Sequence, residues 1–208
     1  MIVTVSGAED GTDPSGTDDV VAAELTFLSY AEFGQRFFEV AVTKERVAQA
    51  VARLAGTPIE FGPLSVVPLG LVKVRAKGAV GQPSVEPRES EHVSFLLTIP
   101  VDLQILIEMG LDKYRFTAAV QVRLTLTARA AEPLKIVIDV QPPTKRTVDV
   151  QVQAEGLRAS VLQIFAGVDG ELKKSVAKYV RREIDKPEMQ AARVIDVARA
   201  LASMKLPR

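Results

Sequence analysis

The chain has 208 residues, 47% of them apolar, and its 26 basic residues balance its 26 acidic residues. This length supports one domain with its own core, and the zero net charge argues against nucleic acid as a partner, because phosphate binding needs a surplus of Lys and Arg on one face. With no Cys, thiol chemistry, disulfides, zinc knuckles and iron–sulfur clusters are excluded, and one His leaves little for a His-rich metal site, so we expect neither a cofactor nor a metal.

The first 19 residues are predicted to form an acidic, flexible N-terminal segment. Residues 8–19 read AEDGTDPSGTDD, a composition typical of mobile loops. The few apolar residues before them are too short for the core of a signal peptide, and no run of about 18 apolar residues occurs anywhere in the chain. We therefore expect a cytoplasmic protein.

Residues 20–55 are predicted to form a strand followed by a helix pair or one bent helix. The strand covers 20–28, and Ser29 with Glu32 three residues later is the signature of a capping box. A second helical pattern begins after the N-cap candidate Thr43 and ends before Gly56. Its apolar stripe consists of Val47, Ala50, Val51 and Leu54.

Long alternating patterns predict antiparallel strands over most of the chain between residues 72 and 154. Every odd residue from Val93 to Met109 is apolar, and after a turn at Gly110 the apolar residues fall on even positions as far as Ala128. This pattern predicts a hairpin with unusually long arms. Pro100 marks an edge, a bulge or a bend in its first arm.

The last third of the chain is predicted to be helical. An apolar stripe indicates a long helix from Arg158 to Asp185, which Pro187 ends. Residues 187–208 form a C-terminal tail with a last helix over 188–204. Residues 20–186 are then a single α+β domain, in which a long, highly curved antiparallel sheet wraps around or packs on long amphipathic helices, including the N-terminal pair and the long C-terminal helix.

The inward positions of these strands carry no Asp, Glu, His, Lys or Arg. General acid–base catalysis needs a titratable group near the reacting atoms, and the sheet interior offers only Tyr114, so no catalytic residue is assigned. A packed core is the ordinary reading of these apolar residues. The alternative is an elongated cavity between sheet and helices, whose ligand-lining residues are then Phe33, Phe37, Phe38, Phe95, Ile99, Leu103, Tyr114, Phe116, Val120, Leu124, Phe165, Leu172, Val176 and Tyr179.

A row of basic residues lies on the outward face of the predicted sheet: Lys73, Arg75, Lys77, Arg115, Arg123 and Arg129. Such a patch suits transient contact with phospholipid headgroups. The alternative is cross-strand pairing with the acidic neighbours Asp102, Glu108, Asp139 and Asp149.

The order of elements, together with the segments GPLSVVPLGLVKVRAKGAVG and LRASVLQIFAGVDGELKKSVAKYV, resembles the tubular lipid-binding, or TULIP, superfamily over about residues 20–185. The resemblance implies a highly twisted antiparallel sheet wrapped around a long helix, in a bacterial protein. It also implies that the gap between helix and sheet holds acyl chains or other elongated apolar ligands.

Three functions follow as hypotheses. The first is a non-enzymatic protein that binds or carries a lipid or another elongated hydrophobic small molecule. The second is a cofactor-free cyclase or isomerase that acts on a polyketide-like substrate by positioning and desolvation, with Tyr114 and Tyr179 as polar candidates. The third is a structural or assembly protein with a solid core, in which the tail from Pro187 onward forms a homodimer.

Overall fold

The computed structural model describes residues 26–66, 72–153 and 159–203, with the side chains of all of these except 64–66, 72, 109, 153 and 159–168. The predicted acidic segment 1–19 lies outside the described residues, as does most of the predicted strand over 20–28. Residues 26–28 have no regular secondary structure.

The first two helices are short: α1 spans Tyr30–Ala41 and α2 spans Lys44–Ala52. The capping box of α1 is confirmed, since the Glu32 backbone N–H donates to Oγ of Ser29 at 3.2 Å and the Ser29 N–H donates to the Glu32 carboxylate at 2.9 Å. Thr43 caps α2 in the same way, through the backbone N–H of Arg46. The expected pair is present, but at 12 and 9 residues it is not a long pair.

One strongly curled antiparallel sheet contains all eight strands of the described part of the chain. The strands are β1 (Pro58–Val66), β2 (Val72–Val80), β3 (Ser84–Arg88), β4 (Ser94–Met109), β5 (Asp112–Ala131), β6 (Lys135–Val140), β7 (Val148–Gln153) and β8 (Val194–Asp196). The prediction of a mixed helix and strand protein with a curved antiparallel sheet is confirmed.

The β4–β5 hairpin forms the centre of the sheet. All 16 residues of β4 pair with β5 in a single unbroken register, from Ser94↔Thr127 to Met109↔Asp112. A two-residue loop joins the arms, and its first residue, Gly110, has φ +59°, a conformation that glycine adopts without steric cost. The long hairpin predicted from the alternation is therefore confirmed.

The outer edges of the hairpin are each covered by two strands in succession, β2 and β3 beside β4, and β7 and β6 beside β5. The β2 register ends at Val80↔Val101, and the β3 register begins at Ser84↔Thr98. The outer chain thus has one residue more than β4 in this interval, which is a β-bulge. Pro100 lies opposite this bulge, whereas β4 itself pairs with β5 without a break, so the irregularity is in the neighbouring chain and not in the arm that contains Pro100.

The long helix α3 spans Ala159–Ile184 and contacts both β1 and β7. Its 26 residues span about 39 Å at 1.5 Å per residue. Because β1 and β7 lie on opposite edges of the sheet, α3 closes the open side of its curve. Leu172 is 0% exposed and Val176 is 5% exposed, so this helix supplies part of the central core.

The chain beyond α3 differs from the single last helix predicted over 188–204. It forms α4 (Pro187–Ala192), then β8, then α5 (Val197–Ser203). β8 pairs with β6 through Ile136↔Ile195, and the β6 backbone at Ile138 also donates to the carbonyl of Arg193 at 2.8 Å. An exposed edge of β6 thus gains a partner strand, and this tertiary pairing overrides the helical periodicity of the segment.

Candidate ligand-binding cavity

An apolar cavity of about 320 Å³ lies between the concave face of the sheet and the helices. Its lining comes from β1, β2, β4, β5 and β6 of the sheet, and from α2, the C-terminal half of α3, α4 and β8. This volume lies at the lower end of the range found for small-molecule sites, which are largely apolar with a few polar groups. The site is therefore large enough for one small ligand.

The sheet wall of the cavity follows from strand periodicity. Successive side chains of a strand point to opposite faces, so one residue in two along β4 and β5 faces inward. The unbroken β4–β5 register keeps both sets on the same face over the whole hairpin. The inward residues that line the cavity are Leu97, Ile99, Val101 and Leu103 of β4, and Val120, Val122, Leu124 and Leu126 of β5.

The α2 helix covers the cavity with the apolar stripe predicted from the sequence: Val47, Ala50, Val51 and Leu54 all line it. Two polar contacts join this helix to its neighbours. Nζ of Lys44 lies 3.0 Å from the Glu86 carboxylate on β3, and Nη1 of Arg46 donates to the Ala41 carbonyl at the end of α1 at 2.8 Å. The surface ion pair contributes little to stability, roughly 0–1 kcal/mol, so apolar packing holds α2 on the sheet.

Few polar side chains line the cavity: Arg46, Arg53, Thr57, Tyr179, Glu183 and Arg193. Burial raises the pKa of Tyr179, and the negative charge of Glu183 raises it further. Its hydroxyl therefore stays protonated at neutral pH and is available as a hydrogen-bond donor. Glu183 is itself paired with Nζ of Lys186 at 2.7 Å.

Among the polar lining residues, Arg193 has a buried hydrogen-bond donor without a partner in the described part of the chain. It lies between α4 and β8 and lines the cavity. Its Nε is buried and has no hydrogen-bond partner among the described residues. Buried donors without a partner are rare in native proteins, since each costs about 1–3 kcal/mol. The guanidinium of a lining residue therefore has a donor that no described residue satisfies.

The predicted ligand-lining residues divide into groups. Six line the cavity: Ile99, Leu103, Val120, Leu124, Val176 and Tyr179. Six others pack in or against the core outside the cavity lining: Phe37, Phe38, Phe95, Tyr114, Phe116 and Leu172. Contact of any of these residues with a ligand stays a prediction.

The expectation that Phe33 faces the space between helices and sheet is corrected, because its side chain is 59% exposed. It stacks on Phe37 of the same helix, with ring centroids 6.4 Å apart. α1 has no fully buried residue, and its contact with the core is made by Phe37, Phe38 and Ala41, which are partly buried. Phe165 belongs to α3, but its side chain lies outside the described residues.

Several lining residues were not among those predicted from the sequence. Phe61 of β1 and Ile195 of β8 are examples. The α2 stripe was visible in the sequence as a buried face, but nothing identified which surface it covers. No sequence pattern pointed to Arg193, because its place in the lining depends on the end of α4 and the start of β8, where the sequence predicted one continuous helix.

The outward basic row is at least partly neutralised by neighbouring acids. Arg75 lies 3.7 Å from Glu108, and Arg129 lies 3.2 Å from Asp139. Lys77 also pairs with Glu60 of β1, at 3.0 Å. The predicted cross-strand pairing is thus confirmed for Arg75 and Arg129, while Lys77 pairs with an acid that was not among those named from the sequence.

Comparison of the chain with models of known protein families and with curated protein sequences finds no match. No helix in the described part of the chain is both long enough and apolar enough to cross a membrane.

Proposed function

We propose that this protein binds or carries a lipid or another elongated hydrophobic small molecule in the cavity between sheet and helices. The observation that supports the proposal most strongly is the cavity itself, which is lined by inward residues of β4 and β5 and covered by α2 and α3. An apolar ligand gains about 2.5 kcal/mol for each 100 Å² of surface that it buries, before the costs of association. A long helix packed against a curled sheet is also what the resemblance to the TULIP superfamily implies, and it supports this proposal.

A solid core, which the assembly hypothesis requires, fits less well with an open volume of about 320 Å³. The enzyme hypothesis is supported by one observation, the presence of Tyr179 and Glu183 in the lining. A carrier returns its ligand chemically unchanged after incubation. A rearranged product whose formation is abolished in Tyr179→Phe supports the cyclase or isomerase instead.

The test uses a matched pair of valine-to-tryptophan variants. Val51 is half-buried and lines the cavity from α2, so Val51→Trp fills space that a ligand needs. Val40 of α1 is 70% exposed and lies outside the lining, so Val40→Trp controls for the added aromatic surface. Ala50→Trp is a second filling variant at an exposed lining position, where the larger side chain is tolerated more easily.

The measurement is the fluorescence of the neutral dye Nile red and its displacement by dodecanol. We expect saturable binding to the wild type and to Val40→Trp, and at least about tenfold weaker binding to folded Val51→Trp and Ala50→Trp. Equal binding by all four proteins contradicts a site in this cavity. No saturable binding to the wild type contradicts the proposed function.

A further inference from the structure

The polar residues of the cavity carry an excess of positive charge. Three arginines line it, Arg46, Arg53 and Arg193, against a single acid, Glu183. The acid is already paired with Lys186 at 2.7 Å, and Arg46 donates to backbone carbonyls at the end of α1. Within the described ranges, no ion pair joins Arg53 or Arg193 to a carboxylate. An apolar molecule alone makes no use of this charge.

Arg193 lines the cavity, and two hydrogen bonds hold its backbone. Its carbonyl accepts a hydrogen bond from Ile138 of β6 at 2.8 Å, and its own N–H donates to Gln190 at 3.3 Å. The backbone is therefore fixed between α4 and the sheet. The buried Nε has no partner in the described part of the chain, while apolar residues on both sides, Ala192 and Ile195, also line the cavity.

We propose that the ligand is an amphiphile with one carboxylate, whose apolar chain occupies the cavity and whose carboxylate accepts hydrogen bonds from the guanidinium of Arg193, which lines the cavity without an acidic partner in the described part of the chain. A guanidinium presents parallel N–H groups that match the two oxygens of a carboxylate. A phosphate has three oxygens to satisfy, one more than a single guanidinium matches in this way. This inference rests on the proposed function and adds the chemical class of the ligand.

The test compares three amphiphiles with the same chain, dodecanoate, dodecanol and dodecyl phosphate, by displacement of Nile red. The variant is Arg193→Met, which keeps the apolar stem of the side chain and removes the guanidinium. Arg36→Met is the matched control, since Arg36 is exposed on α1 and lies outside the lining. Arg193→Lys keeps the charge without the paired N–H geometry, and serves as a second variant where the methionine variant is too unstable to measure.

We expect Arg193→Met to bind dodecanoate about tenfold to hundredfold more weakly, as for the loss of a hydrogen bond to a charged group. Dodecanol binding should change less than about twofold, Arg36→Met should match the wild type, and Arg193→Lys should be intermediate for dodecanoate.

The possible failures are distinguishable. If dodecanoate and dodecanol both bind and Arg193→Met weakens neither, the headgroup assignment is wrong while the cavity proposal stands. If dodecyl phosphate binds more tightly than dodecanoate and depends on Arg193, the assignment to a carboxylate is wrong. If neither dodecanol nor dodecanoate displaces the dye, both the assignment and the proposed function are overturned.

Discussion

Gly78 of β2 is a position where one added methyl group is expected to lower the free energy of unfolding substantially. It pairs with Leu103 of β4. A Cβ added at Gly78 would overlap the backbone carbonyl oxygen of Asp102 and would lie 2.9 Å from Cδ2 of Leu103. The first of these atoms belongs to the backbone, so a side-chain rotation cannot relieve the overlap.

The size of the destabilisation by Gly78→Ala follows from the displacement of β2 away from β4. Overpacking of this kind costs about 1–3 kcal/mol, and separating β2 from β4 weakens ladder hydrogen bonds worth about 1 kcal/mol each. The loss of backbone freedom in the unfolded chain offsets only about 0.4–1 kcal/mol. We therefore expect Gly78→Ala to lower the free energy of unfolding by about 2–3 kcal/mol.

The assay is equilibrium urea unfolding followed by circular dichroism. With a denaturant slope of about 2 kcal/mol per M, the midpoint of Gly78→Ala should fall by about 1–1.5 M. Gly34→Ala is the control, because a Cβ at that position of α1 meets nothing within 4 Å. Helix propensity there favours alanine by up to about 1 kcal/mol. A Gly78→Ala midpoint equal to that of the wild type would refute the close approach of β2 to β4.

Other substitutions test the core, α3 and the first helix cap. Leu172→Ala should lower the free energy of unfolding by about 2–5 kcal/mol, since Leu172 is 0% exposed. The control Leu111→Ala, at a fully exposed loop position, should change it by less than about 0.5 kcal/mol. Equal effects of the two substitutions would contradict the assigned burial. Gly170→Ala should raise the melting temperature, because its added methyl meets nothing within 4 Å in the interior of a helix; a lower melting temperature would show that α3 is not regular there. Hydrogen bonds from the backbone and hydroxyl of Ser29 lower the pKa of Glu32, so the contribution of this cap to α1 is complete above the ordinary pKa of glutamate, about 4.3, and is lost as the pH falls through the lowered value. The protection factors of the α1 amides, which correct for the intrinsic pH dependence of exchange, should therefore fall in that acid range in the wild type but not in Glu32→Gln, and equal pH profiles would contradict the cap.

Local signals in the sequence predicted the elements whose pattern is set by near neighbours. The alternation of apolar and polar residues over β4 and β5 predicted which side chains face the core, because successive residues of a strand with one buried face point alternately inward and outward. Ser29 and Thr43 predicted the beginnings of α1 and α2, because a cap satisfies backbone donors within three residues.

The parts that were missed depend on tertiary contacts. β8 has a helix-like sequence pattern, yet it forms a strand because the edge of β6 offers it hydrogen bonds. Phe33 looked like a cavity residue because of its spacing from Phe37, but periodicity identifies an apolar face without identifying what covers it. The sequence did not indicate Arg193 either, because the burial of its Nε depends on how the chain turns between α4 and β8.

The central claim is that the cavity takes an elongated hydrophobic molecule, and native mass spectrometry of the protein purified from its natural host tests it most directly. The account predicts a stoichiometric adduct that organic extraction releases as an amphiphilic molecule, and that is absent from Val51→Trp but present in Val40→Trp prepared in the same host. A mass that equals the chain alone, together with no uptake of Nile red or dodecanol, would contradict the account.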